Sequence, residues 1–151
     1  SMSIPQIGEK APDFSGVNQK GKTVSLADFA GKKLVLYFYP KDDTPGCTAQ
    51  ACNLTENHRA LLKQGYVVLG VSPDTEKQHI KFIDKYKLTF DLLADTEKET
   101  IQAYGVWVEK SMYGRQYMGV ARTTFIIDEK GLIMDVIEKV KTKEHTAQIL
   151  K

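Results

Sequence analysis

Two short apolar runs limit what this chain can become. Lys33-Leu34-Val35-Leu36-Tyr37-Phe38-Tyr39 and Tyr66-Val67-Val68-Leu69-Gly70-Val71 are rich in β-formers and hardly alternate with polar residues. Strands with one wet face alternate, so these runs suit central strands buried on both faces. Between them, Ala51, Leu54, Leu61 and Leu62 recur at roughly helical spacing, which predicts a helix from Thr48 to Lys63 stopped by Gly65. A strand, a helix and a second buried strand form a parallel unit whose sheet is covered by helices.

The remaining segments extend that unit. Short strands around a Gly21 turn are expected near Asp13 to Val17 and Thr23 to Leu26, followed by a helical turn from Leu26 to Phe29 that ends at Gly31. After the second core strand come Ser72-Pro73-Asp74, a helix near Thr75 to Tyr86, a strand over Phe90 to Ala94, and a helix from Glu97 to Tyr104 stopped by Gly105. Thr123 to Asp128 and Leu132 to Ile137 read as a hairpin around Asp128-Glu129-Lys130-Gly131, and Lys143 to Lys151 as a closing helix. The order gives an α/β, thioredoxin-like fold: a central mixed β-sheet flanked by helices, with an N-terminal β-hairpin extension.

A chain of 151 residues fits one domain with a core of its own. Ser1 before Met2 reads as the remnant of a cleaved expression tag ahead of the initiator methionine, leaving a single domain over residues 3–151. A net charge of +2 argues neither for nor against a nucleic-acid partner. No apolar run approaches the roughly 18 residues that span a bilayer, and the start lacks the pattern of a secretory signal. Two cysteines do not make a disulfide scaffold. A reducing, cytoplasmic setting is the expectation, and there a lone cysteine pair is more often reactive than structural.

Cys47 follows Pro45 by two residues, where a helix opens directly after a buried strand. Unpaired backbone N–H groups and the helix dipole favour an anion at that place, so a thiolate is favoured there. Asp42 and Asp43 oppose this, because nearby negative charge disfavours a second anion. A cation must then come from elsewhere. Position alone also allows a small, inert, well-packed cysteine at a helix start.

The segment Pro40-Lys41-Asp42-Asp43-Thr44-Pro45-Gly46-Cys47 resembles the peroxiredoxin signature: a proline, three residues, a threonine, two residues and the cysteine. Ala121-Arg122-Thr123-Thr124-Phe125 resembles the strand start that carries the family's arginine. The likeness runs from Gly8-Glu9-Lys10-Ala11-Pro12-Asp13-Phe14 onward and is nearest to the bacterioferritin comigratory protein, or peroxiredoxin Q, subfamily, as Tyr104-Gly105-Val106-Trp107 also suggests. The resemblance implies a thiol-dependent peroxidase acting on hydrogen peroxide and organic hydroperoxides, with no cofactor and no metal. It makes Cys47 the peroxidatic cysteine. Thr44 would accept from the peroxide and donate to the sulfur, Arg122 would supply the cation, and Pro40 would shield the sulfur from water. Each residue has a plainer reading too: Pro40 ends a strand, Thr44 caps a helix and Arg122 is solvated. The four together in this order are specific.

Cys52 is carried over as the resolving cysteine, forming an intramolecular disulfide with Cys47 that thioredoxin or a similar dithiol donor reduces. Five positions apart on one helix, the two side chains would point about 140° apart with about 7.5 Å of axial rise. A disulfide needs converging Cβ vectors and Cα atoms within about 7 Å. Coupling therefore requires the first turns of the helix to unwind.

Other signals point nowhere further. Cys47, Cys52 and His58 lack a fourth metal ligand and cannot converge around one helix. No C-x-x-C pair and no Gly-rich phosphate loop is present. Trp107, Tyr113 and Tyr117 near Arg115 fit an active-site rim better than base stacking, and Lys139, Lys141 and Lys143 fit a solvated face. The expectation is a monomer with no nucleic-acid or membrane partner. The competing class is a peroxide-reactive redox sensor that turns over slowly on the same site.

Overall fold

The computed structural model describes residues 3–151. Ser1 and Met2, with the reading of a tag remnant, lie outside the described residues.

Both apolar runs form core strands. β3 (Lys33–Phe38) and β4 (Tyr66–Ser72) pair in parallel from Lys33 opposite Tyr66 to Phe38 opposite Val71. β5 (Asp91–Ala94) joins β4 in parallel. On the other side β8 (Thr123–Ile127) and β9 (Ile133–Ile137) pair antiparallel. The five-stranded sheet runs β5-β4-β3-β8-β9, mixed as the terminal hairpin requires.

β3 sits at the centre and is buried on both faces, from Leu34 through Phe38. Leu34, Leu36 and Phe38 pack with Leu69, Val71, Phe125, Ile101 and Tyr104 on one side, the side of α4 (Glu99–Ala103). Val35, Tyr37 and Tyr39 face the other, against Cys47, Ala51 and Leu54 of α1 (Pro45–Glu56), Leu61 of α2 (His58–Lys63), Phe82 of α3 (Glu76–Tyr86) and Ile149 of α5 (His145–Ile149). That alternation is the period of two of a strand with apolar layers on both sides.

The N-terminal hairpin is present as β1 (Ser15–Val17) and β2 (Thr23–Ser25), and the turn after it is a 3-10 helix over Leu26–Phe29. Three local expectations need correction. The helix expected over Thr48 to Lys63 begins at Pro45 and divides at Asn57, whose N–H donates to the Asn53 carbonyl at 3.2 Å as the last rung of α1. Its own carbonyl then starts α2 by accepting from Leu61 at 3.1 Å. The tail is a 3-10 turn, Thr142–Glu144, ahead of the five-residue α5. Finally, β6 (Trp107–Met112) and β7 (Arg115–Val120) form a second two-stranded hairpin where no element was expected.

Candidate active site

The end of β3 places the site. Tyr39 still donates to the Val71 carbonyl at 3.1 Å, and half-buried Pro40 then stops the ladder. Asp43 takes a left-handed conformation, φ 58°, which a short polar side chain tolerates. The chain turns there, and Thr44 becomes the extended residue ahead of α1, with Pro45 at its first position. Thr48 donates to the Thr44 carbonyl at 2.8 Å as the first rung. Since proline has no N–H, Gly46 and Cys47 supply the free donors of the first turn.

Arg122 arrives from the opposite side of β3. The antiparallel register sets Thr123 against Phe38, so residue 122 lies beyond the end of β3, level with the start of α1. Its Nη2 donates to Cys47 Sγ at 3.3 Å and its Nη1 to Gln50 Oε1 at 2.8 Å. One planar guanidinium thus grips two residues that lie one turn apart on α1. The cation that the sequence lacked near Cys47 comes from a residue 75 positions away. Gly46 makes room for it: a Cβ there would stand 3.2 Å from Nη2.

Neither aspartate hydrogen-bonds the sulfur; both are engaged elsewhere. Asp43 is exposed and turned to Lys85 Nζ at 2.8 Å and the Tyr86 hydroxyl at 2.6 Å; the Lys85 bond, above all, holds its carboxyl below the ordinary range. Asp42 is buried and turned to Tyr39 and His79, which donate to its two oxygens at 2.6 Å each. Thr44 also needs correction. Its hydroxyl donates to the Lys41 carbonyl at 2.8 Å rather than to the sulfur. A hydroxyl has one proton to give, so Thr44 keeps its lone pairs to accept from an incoming O–H.

Cys47 is 2% exposed and Cys52 partly exposed, both as thiols on one continuous helix. Burial, and behind it the charge of Glu56, pushes the Cys52 thiol up. Cys52 in the folded helix is therefore held in its weakly nucleophilic protonated form.

Sequence reasoning missed Gln50 and Lys110. Gln50 is fully buried, with its Nε2 unpartnered, and the i, i+3 spacing to Cys47 was the only clue. Lys110 projects from β6; burial first and Arg122 second push its ammonium down, while Cys47 pulls it up. It is an electrostatic neighbour of the pair, hidden because its strand went unrecognised. Tyr113 and Tyr117, expected on the site's rim, lie on the exposed part of that hairpin. Asp42, Asp74 and His79 bring three metal-capable atoms within 4.8 Å, but His79 Nδ1 and Asp42 Oδ2 already bond each other. A hollow of about 330 Å³ between Leu26, Phe29, Leu34 and Gly131 lies at the other end of β3 and is lined by no cysteine.

The site is thus a buried cysteine at a helix start, gripped by a distant arginine. The AhpC/TSA family model matches residues 7–136. The chain belongs to that family, the peroxiredoxins. Peroxiredoxin Bcp of Bacillus subtilis is 45% identical over 146 residues, covering 97% of this chain and 93% of that protein. The putative peroxiredoxin bcp of Coxiella burnetii is 48% identical, covering 99% and 98%. Among solved structures, Xylella fastidiosa PrxQ superposes with a TM-score of 0.92 at 31% identity, over 99% of this chain and 95% of that one. Xanthomonas campestris peroxiredoxin Q gives 0.85 at 36%, over 91% and 87%. A peroxiredoxin is a thiol peroxidase, so the substrate is a hydroperoxide and the electron source a thiol. Among the described residues no helix is long and apolar enough to cross a membrane.

Proposed function

We infer that the chain reduces hydrogen peroxide and organic hydroperoxides in a two-cysteine cycle through Cys47 and Cys52. The Cys47 thiolate attacks the distal peroxide oxygen, the O–O bond breaks, and the alcohol or water leaves as its anion, to be protonated. Arg122, 3.3 Å from the sulfur, is the observation that carries this reading: its charge favours the thiolate and the developing charge on the peroxide. Thr44 accepts from the peroxide O–H and so orients the bond. Pro40 has no N–H to compete for the sulfur, and its ring limits water.

Cys47 is then a sulfenic acid. Cys52 attacks it, forming the Cys47–Cys52 disulfide and releasing water. The first turns of α1 must open for this step. Opening also exposes Cys52 and removes the burial that pushes its thiol up. Thioredoxin or a similar dithiol donor reduces the disulfide, with one donor disulfide formed per turnover. One trapped-intermediate study of the Xanthomonas campestris bacterioferritin comigratory protein concerns alkyl peroxide reduction, which supports an organic substrate here. A monomer serves all these steps, since each named group comes from one chain.

Mass analysis after one equivalent of peroxide tests the cycle. A loss of two hydrogens is expected, with both cysteines in one disulfide-linked peptide. Oxidised Cys47 beside a free Cys52 would overturn the resolving role. A steady-state assay with several hydroperoxides, first with thioredoxin and then with glutaredoxin, ranks substrate and donor.

A further inference from the structure

The loop that carries Cys47 is held by a buried polar chain none of whose members hydrogen-bonds the sulfur. The His79 imidazole is fully buried. Its Nε2 faces the Leu93 carbonyl at 3.0 Å; a carbonyl only accepts, so Nε2 carries hydrogen. Its Nδ1 faces Asp42 Oδ2 at 2.6 Å, and one proton lies between them. Asp42 Oδ1 accepts from the Tyr39 hydroxyl at 2.6 Å. The Asp42 N–H donates to Asp74 Oδ2 at 2.8 Å, which also accepts from Ser72 Oγ at 2.6 Å. One loop residue is thereby tied to the residue that follows β3, the end of β4, α3 and β5.

We propose that Asp42 and His79 are positioning residues for the peroxide step, holding the loop before α1 at the height that sets Cys47 against Arg122. The inference rests on the peroxidase reading above. Asp42 is five residues before Cys47 and precedes the left-handed turn at Asp43. Arg122 is fixed independently by the β3–β8 register. The 3.3 Å contact is thus a meeting of two separately anchored pieces, and a loose loop loses it without disturbing the sheet. The opened form that resolves and is reduced has already given up the first turns of α1. A slack loop therefore slows reaction with peroxide and spares reaction with the reductant.

Ping-pong kinetics with hydrogen peroxide and dithiothreitol separate the two half-reactions. Asp42→Ala is expected to lower kcat/KM for peroxide at least about tenfold, the change that losing one charge-assisted bond would give. Its kcat/KM for dithiothreitol should stay within about twofold of the parent, less than half of that change in free energy. Asp42→Asn keeps the chain intact, accepting from Tyr39 and donating to a neutral His79, and should restore the peroxide value to within about threefold. If Asp42→Ala does not fold, Tyr39→Phe, which removes only the bond to Oδ1, should show the same one-sided loss on a smaller scale. Both half-reactions unchanged, both falling together, or Asp42→Asn as slow as Asp42→Ala would overturn the proposal. An unsubstituted protein that consumes no peroxide would overturn the peroxidase reading itself, a distinct result.

Discussion

Thr146 donates its backbone N–H to Asn53 Oδ1 at 2.8 Å, so the C-terminal segment is tied to the residue beside Cys52. Asn53 Nδ2 returns a bond to the Lys143 carbonyl at 2.9 Å, and the Thr146 hydroxyl approaches the Asn53 carbonyl at 3.4 Å. The part of α1 that must open for resolution is thus strapped at its far end. Asn53→Ala removes both side-chain bonds, worth about 1–3 kcal/mol together in a partly buried setting. Opening should become easier, and disulfide formation after a peroxide pulse severalfold faster. Quenched-flow mass analysis reads that rate; a parental rate would mean that the strap does not limit opening.

Gly46 gives a second prediction in which stability and activity part. In a helix, alanine is favoured over glycine by about 0.5–1 kcal/mol, with less gained near an end. The added methyl would stand 3.2 Å from Arg122 Nη2, too close unless the guanidinium yields. Gly46→Ala should therefore keep or raise the melting temperature while slowing sulfenic acid formation about tenfold. Stopped-flow fluorescence of Trp107, the sole tryptophan, follows that step. A variant as fast as the parent would show that Arg122 can move without cost.

Arg122→Lys tests the fork itself. Lysine keeps the charge but cannot serve Cys47 and Gln50 from one plane. The peroxide step should slow by up to about 100-fold, the lower end of what losing one aligned donor costs, because the charge is kept. An unchanged rate would remove the arginine from this role.

The features written into neighbouring residues could be read from the sequence. β3 and β4 announced themselves as apolar runs, and the Pro40 to Cys47 signature was local. The β6–β7 hairpin was hidden because its residues from Ser111 to Met118 are all exposed and carry no core periodicity. Its turn adds to the disguise: Tyr113 and Gly114 both have positive φ, 52° and 75°, and a tyrosine stands where asparagine would have signalled the turn. The Asp42–His79 contact spans 37 positions and follows no pattern, so only the fold reveals that Asp42 is turned away from the sulfur. The same holds for Arg122, whose partner was recognised by resemblance and whose distance was set by the strand register.

Gly70 links the sheet to the ground beneath α1. A Cβ at this position would meet Leu92 Cδ2 at 2.8 Å and the Tyr37 ring at 2.9 Å. Tyr37 is buried in the same apolar layer as Cys47 and Ala51, and its ring has nowhere to retreat. Gly70→Ala should cost about 1–3 kcal/mol of stability, the usual price of overpacking. Urea denaturation followed by circular dichroism measures it, and a loss below about 0.5 kcal/mol, the range of a surface change, would show that the layer can shift.

His145 should make stability depend on pH near neutrality. It is fully buried; Nδ1 donates to Gln148 Oε1 at 2.8 Å, and Nε2 accepts from the Thr124 hydroxyl at 2.8 Å, which satisfies the neutral ring. Burial, and behind it the charge of Arg122, pushes its pKa down, against the opposing Gln148 bond. An unfolded histidine titrates near 6.5, so as pH falls below about 6.5 the unfolded chain takes up a proton that the folded one refuses. The stability His145 contributes is complete above that value and is lost as pH falls towards the folded one. Asp74 and Asp95, whose carboxyls burial pushes up, act with the opposite sign at lower pH, and His58 acts with the same sign as His145. All three are present in His145→Gln as well, so the comparison cancels them. Between about pH 7.5 and 5.5, a range that brackets the unfolded histidine pKa, the melting temperature of the parent should fall more steeply than that of His145→Gln. Parallel slopes would mean that the ring accepts a proton inside the folded protein at no extra cost.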